Sequence, residues 1–147
     1  MASYRQSYHH NIFGTKNHKQ SIPNEYCEEL YKYIWRIIKN KNCKLYRING
    51  WKDHIHIFSD LHPSISLADF IKEIKTSTSV WLKSNSNFPD FDGWAEGYGS
   101  FTISHNDRNR IINYIKGQKE HHKKESFKDE YKRILKEFGI DFDDKYI

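Results

Sequence analysis

The sequence predicts an α+β domain built as a ferredoxin-like, split-βαβ antiparallel sheet with helices on one face, followed by two C-terminal helices. Three observations carry that prediction. Hydrophobic periodicity switches between the strand and helix periods in the order β-α-β-β-α-β. Two Ser-x-x-Asp boxes, at Ser66 and Ser126, mark helix starts, while Asn49-Gly50 is a hairpin signal between two strands. The 147 residues contain no internal repeat and no linker, so they read as one domain, 1–147, large enough to bury its own core.

Ser7 to Thr15 alternates as a strand, with Tyr8, His10 and Ile12 on one face and His9, Asn11 and Phe13 on the other. Gly14 to Ser21 is polar and loop-like. Asn24 can cap a helix running to about Lys39, whose apolar stripe is Tyr26, Leu30, Ile34 with Tyr33, and Ile37/Ile38. Lys44 to Ile48 is the next strand, and the strand Asp53–Phe58 returns from the Asn49-Gly50 turn. Pro63 closes it. The Ser66 box then opens a helix burying Leu67, Phe70/Ile71, Ile74, Thr78 and Trp81, with Lys75 off that stripe. Ser84 to Gly97 is a loop holding Phe88, Phe91 and Trp94, and Tyr98 to Ile103 is a further strand. Ser104-His105-Asn106-Asp107 caps a third helix running towards Lys124. Ser126 opens a fourth, with Phe127, Tyr131, Ile134/Leu135 and Phe138 as its packing stripe and Gly139 as its stop.

Composition narrows the function classes. Aromatics are abundant at 16%, while a mean hydropathy of −0.91 marks a very polar surface. No apolar run approaches the length of a membrane span and the N-terminus has no apolar signal core, so neither membrane nor secretion is expected. Cys27 and Cys43 lack paired spacing and read as reduced thiols of a cytoplasmic protein. The net charge of +5 is uneven. Residues 36–52 carry Arg36, Lys39, Lys41, Lys44, Arg47 and Lys52 without an acid, and 106–124 is also basic, whereas the last stretch is acidic. Basic blocks beside aromatics suit a polyanion, although a solvated lysine-rich face would look the same.

The chemistry centres on Asp53-His54-Ile55-His56-Ile57-Phe58. On a strand, His54, His56 and Phe58 look one way and Ile55 and Ile57 the other, so the imidazoles can converge outside the core as a divalent metal requires. Two solvated surface histidines would give the same pattern. In the third helix, Tyr114 and Gln118 are four apart and share a face. Beside convergent imidazoles, Gln118 offers a neutral carbonyl oxygen and Tyr114 a nucleophile.

His54-Ile55-His56 on a strand, followed by Tyr114 and Gln118 on a later helix, resembles the HUH single-tyrosine transposases of small insertion sequences, nearest the REP-associated tyrosine transposase branch. The likeness extends over nearly the whole chain. Phe13-Gly14-Thr15-Lys16-Asn17 resembles the first-strand motif, and Ile71-Lys72-Glu73-Ile74-Lys75 with Ser77 and Ser79 the second helix. Trp94-Ala95-Glu96-Gly97-Tyr98-Gly99-Ser100-Phe101 resembles the Gly/aromatic strand entry. Tyr114-Ile115-Lys116-Gly117-Gln118 through His121-His122, then Phe127 to Tyr131 and Gly139-Ile140-Asp141, resemble the C-terminal run. Gly117 is a departure from the resemblance, since many relatives carry a better helix former there; glycine inside a helix costs about 1 kcal/mol against alanine, which would loosen the seating of Gln118.

The resemblance implies a bacterial transposase that cuts and rejoins single-stranded DNA at hairpin-marked ends through a 5′-phosphotyrosine. It implies His54, His56 and Gln118 as ligands of a divalent metal, Mg²⁺ or Mn²⁺, and Tyr114 as the catalytic nucleophile. Lys16, Arg47, Lys52, Lys75 and Trp94 are the DNA-binding candidates, Trp94 by base stacking. The resemblance leaves the assembly open between a monomer and a homodimer in which a tyrosine helix completes the partner's site, the homodimer being the favoured of the two. Two other functions fit the residues: a domesticated hairpin nickase or binder, and a non-catalytic ferredoxin-like module that binds single-stranded nucleic acid on its sheet.

Overall fold

In the computed structural model, which describes residues 3–147, four strands form one antiparallel sheet. They are β1 (Tyr8–Gly14), β2 (Lys44–Trp51), β3 (His54–Asp60) and β4 (Gly99–Thr102), ordered β2-β3-β1-β4. That is the arrangement the split-βαβ pattern demands, and it places β3 inside the sheet. Helices α1 (Cys27–Asn40) and α2 (Leu67–Lys83) cover one face. Leu30, Ile34 and Ile38 recur every four residues on α1, and Phe70, Ile71, Ile74 and Leu82 line α2; both sets pack against Phe13, Ile55 and Ile57. Burying each such side chain contributes about 1.5–3 kcal/mol, so this face is the main source of stability. Ser66 caps α2 as expected, its Oγ accepting the Asp69 N–H at 3.1 Å. The aromatic loop tucks Phe88 and Phe91 into the same core.

Two local expectations are corrected. Asn49-Gly50 is not the turn: β2 continues through it to Trp51, and the chain reverses at Lys52-Asp53, between paired Trp51 and His54. Asn49 faces His56 across the strands, and its Nδ2 donates to the Ile115 and Lys116 carbonyls at 3.1 Å each. These are end-of-helix carbonyls that lack partners within their own helix. Gly50 is required for close approach, since a Cβ there would lie 2.2 Å from the His54 carbonyl oxygen.

The third helix also ends early. It runs as α3 (Arg108–Lys116), stops at Gly117, and resumes as the single turn α4 (Gln118–His121) before α5 (Phe127–Glu137). The break falls where the flexible glycine meets the Asn49 cap. These short helices close over the second face of the sheet. Phe58 packs with Ile111 and Ile115 of α3, while Ile12 and Phe101 pack with Phe127, Ile134 and Leu135 of α5. Consequently His54 and His56 do not face out of the core, as strand alternation alone implied: both are 0% exposed.

Candidate metal and tyrosine site

Between those two apolar patches the second face of the sheet carries a buried polar cluster. His54 and His56 alternate with the core isoleucines and so point together towards α4 and α5. Each has its Nδ1 engaged: that of His54 lies 2.7 Å from Asp53 Oδ1, and that of His56 lies 2.8 Å from His10 Nε2. Partners on Nδ1 fix the ring orientation and direct Nε2 inward, which is how metal-binding histidines are held. Phe127 stacks on His54 with ring centroids 4.1 Å apart and planes inclined by 6°.

The inward nitrogens meet groups from the C-terminal helices. Gln118 is fully buried, and its Oε1 lies 3.0 Å from His54 Nε2 and 2.8 Å from His122 Nε2. Glu130 of α5, also fully buried, fills the centre. Its Oε1 is 2.9 Å from His122 Nε2, 3.1 Å from His56 Nε2 and 3.4 Å from His54 Nε2. Its Oε2 accepts from Gln118 Nε2 at 2.8 Å and from the Tyr114 hydroxyl in a short hydrogen bond. One ligand atom from each of His54, His56, His122 and Glu130 lies within 4.8 Å of the others. Convergent imidazole nitrogens and a carboxylate are a donor set suited to a divalent ion.

Tyr114 is half-buried at the edge of this cluster, within the same chain. Besides donating to Glu130, its oxygen accepts from Arg133 Nη2 at 2.9 Å, and Arg133 is itself held by Glu125 at 3.0 and 3.2 Å. The hydroxyl is therefore paired rather than free in solvent. Sequence reasoning brought His54, His56, Tyr114 and Gln118 to one place, and they are together. It missed Glu130 and His122.

The model of the IS200-like transposases matches residues 3–118, well over half of the chain. The chain belongs to that family. The transposases of insertion sequence IS200 from Salmonella typhimurium and Salmonella typhi are each 25% identical over 120 residues, covering 78% of this chain and 78% of theirs. Two solved structures share the fold. A candidate transposase from Deinococcus radiodurans superposes with a TM-score of 0.60 at 23% identity, covering 80% of this chain and 95% of that one. A REP-associated tyrosine transposase bound to a REP hairpin gives 0.60 at 15% identity, covering 83% and 74%.

In this transposase the electrostatics of the cluster are set by burial and mutual charge. Burial works against the Glu130 carboxylate, but His56, His122 and His54 outweigh it and hold the group far below the usual carboxylate range. Burial also disfavours charged His54, yet Asp53 and Glu130 keep its pKa above the ordinary histidine value. His56 is pushed down to about 4, mainly by burial, and His10 is lowered for the same reason. The Tyr114 phenol is raised by burial and by the Glu130 charge, against which Arg133 acts.

The DNA-binding candidates of the transposase divide into two groups. Lys16, Lys75 and Trp94 border an open groove of about 810 Å³ beside the cluster, separated from His54 by Phe127, which lines it too. Lys75 Nζ donates to the Ala95 and Gly97 carbonyls at 2.7 and 2.9 Å, bracing one wall. Trp94 packs edge-on against Phe13 and Phe91, and its Nε1 donates to Thr78 Oγ1 at 2.9 Å. Arg47, on β2, pairs in register with Phe58 of β3, and Lys52 sits in the β2–β3 turn with its ammonium 5.3 Å from the centre of the Trp51 ring. Neither lines the groove. Among the described residues no helix is long and apolar enough to cross a membrane.

Proposed function

We propose that this transposase cuts and rejoins single-stranded DNA at hairpin-marked ends, with Tyr114 as nucleophile and a 5′-phosphotyrosine as intermediate. The observation that carries the reading is the meeting of the Tyr114 hydroxyl and the Gln118 carboxamide on Glu130, directly against His54 and His56. In the proposal His54, His56 and Gln118 hold the divalent metal, and the second partners on the imidazoles support that assignment. Bound there, Mg²⁺ or Mn²⁺ would polarise the scissile phosphate and offset its developing charge.

The rest of the chemistry falls to the chain. A free tyrosine ionises near 10, so attack near neutrality needs help. Glu130 accepts the hydrogen bond of the hydroxyl and so fixes the phenolic oxygen; a carboxylate held so far below its ordinary range is a poor base, and the phenolic proton leaves to solvent as the Oη–P bond forms. Arg133 faces the same oxygen and favours the phenolate. Displacement breaks the bond from phosphorus to the 3′ oxygen, which leaves as a free 3′-hydroxyl on the released strand. The phosphotyrosine keeps the energy of the original phosphodiester, so attack by a 3′-hydroxyl reverses the step and joins strands without a nucleotide cofactor.

Lys16, Lys75 and Trp94 make the groove the path for the unpaired strand, and Arg47 and Lys52 serve phosphates further out. The test is incubation of the chain with single-stranded hairpin DNA from the flanks of its own gene and Mn²⁺. A covalent protein–DNA band that Tyr114→Phe abolishes supports the reading. Cleavage without any covalent band would refute it.

A further inference from the structure

We infer that His122 and Glu130 are themselves metal ligands, and that Glu130 bridges, one carboxylate oxygen on the ion and the other on the Tyr114 hydroxyl. The inference rests on the metal-dependent reading above and deepens it. The two oxygens have different close partners. Oε1 faces three imidazole Nε2 atoms at 2.9, 3.1 and 3.4 Å, the side on which an ion held by His54 and His56 would sit. Oε2 holds Tyr114 and Gln118, with the half-buried His121 Nε2 further off at 3.6 Å. A carboxylate with all its partners on one oxygen would be a simple counter-ion to the histidines; here the second oxygen is committed to the nucleophile.

His122 is placed the same way. Its side chain is 2% exposed, and its Nε2 points at both Gln118 Oε1 and Glu130 Oε1. Its ring packs across His54 with centroids 4.3 Å apart. A histidine kept merely as packing would not aim its inward nitrogen at the two oxygens nearest His54. Glu130 and His122 come from α5 and the end of α4, so an ion here would tie the C-terminal helices to the sheet.

Two chemical consequences follow. With the Gln118 carbonyl, three imidazoles and one carboxylate form a nitrogen-rich set for Mn²⁺, Co²⁺ or Zn²⁺, whereas Mg²⁺ prefers oxygen and holds its water. The bridge also sets the distance between ion and nucleophile by the width of one carboxylate, which makes Glu130 a positioning residue for Tyr114.

The experiment is a Mn²⁺ titration of the full chain without DNA, followed by the loss of the free-ion paramagnetic resonance signal. The expected result is stoichiometric binding that millimolar Mg²⁺ does not displace, weakened about tenfold or more in His122→Ala and in Glu130→Gln. Metal-free circular dichroism checks that each variant folds, and His122→Gln replaces the alanine if it does not. Bound Co²⁺ supplies a second readout, because loss of a ligand changes its visible absorption. Wild-type affinity in both variants, or no Mn²⁺ binding by the wild type, would overturn the assignment.

For the bridge, covalent adduct formation is compared at saturating Mn²⁺. His122→Ala should recover there, while Glu130→Gln should remain slow; full recovery of Glu130→Gln would overturn it. Normal Mn²⁺ binding by both variants alongside a wild-type Tyr114 adduct would remove this inference and leave the transposition reading standing. The reverse pattern would do the opposite.

Discussion

Replacing Tyr114 by Phe removes one oxygen that sits between an anion and a cation. In the folded chain that oxygen donates to Glu130 and accepts from Arg133 at 2.9 Å. A hydrogen bond to a charged group contributes about 1.5–3 kcal/mol, and leaving its partner unsatisfied adds to the loss. Both partners are cushioned: Glu130 Oε2 keeps Gln118 Nε2 at 2.8 Å, and Arg133 keeps both contacts to Glu125. The net cost should therefore fall at the lower end, about 1.5 kcal/mol, or about 3–6 °C in melting temperature for a domain of this size. Thermal denaturation in the presence of a chelator measures it, and the same preparation is assayed for cleavage of a hairpin oligonucleotide. The variant should bind the hairpin, melt a few degrees lower and cut nothing. An unchanged melting temperature would show that the hydroxyl is not held by Glu130 and Arg133. Undiminished cutting would point to an activated water as nucleophile.

Other perturbations test the frame around the site. Gly50→Ala should cost about 1–3 kcal/mol or more in urea unfolding, because the new Cβ would press on the His54 backbone carbonyl rather than on a movable side chain. Phe127→Ala should cost about 3–5 kcal/mol, since the ring is buried against Ile134 and Leu135 and stacks on His54; a loss below 1 kcal/mol would show that α5 is not anchored there. Lys16→Gln should weaken single-strand binding and flatten its dependence on log salt concentration by about 0.7 if the lysine neutralises one phosphate, and an unchanged slope would exclude it from the DNA path.

Much of this architecture is legible in the residues. The period-two alternation around His54 and His56 fixes which way the imidazoles turn, and the Ser66 and Ser126 boxes mark helix starts that the structure keeps, with hydroxyls accepting at 3.1 Å in each. Asn49-Gly50 misleads because the dipeptide is a strong local turn signal, while its use here is non-local: the amide caps α3, and the glycine admits the His54 carbonyl. The burial of the histidines is also non-local. Alternation separates the two faces of a strand but does not say whether later helices will cover the second.

Glu130 could have been found. It lies three residues after Phe127 and four before Ile134, so a carboxylate stands on the apolar stripe of α5, where an acid needs a buried partner. His122, four residues beyond Gln118, carries a similar signal. The break at Gly117 has a physical trace too, in the poor helix propensity of glycine. With Tyr114 closing α3 and Gln118 opening α4, the pair reaches Glu130 from two helices rather than from one continuous face.

The central claim is that Tyr114, and none of the other tyrosines, becomes joined to DNA. Peptide mapping by mass spectrometry of the adduct formed on a hairpin oligonucleotide with Mn²⁺ tests it most directly. The expected result is a single modified peptide containing Tyr114, linked to a 5′-phosphate, with a free 3′-hydroxyl on the released fragment. Attachment at another tyrosine, or linkage through a 3′-phosphate, would contradict it.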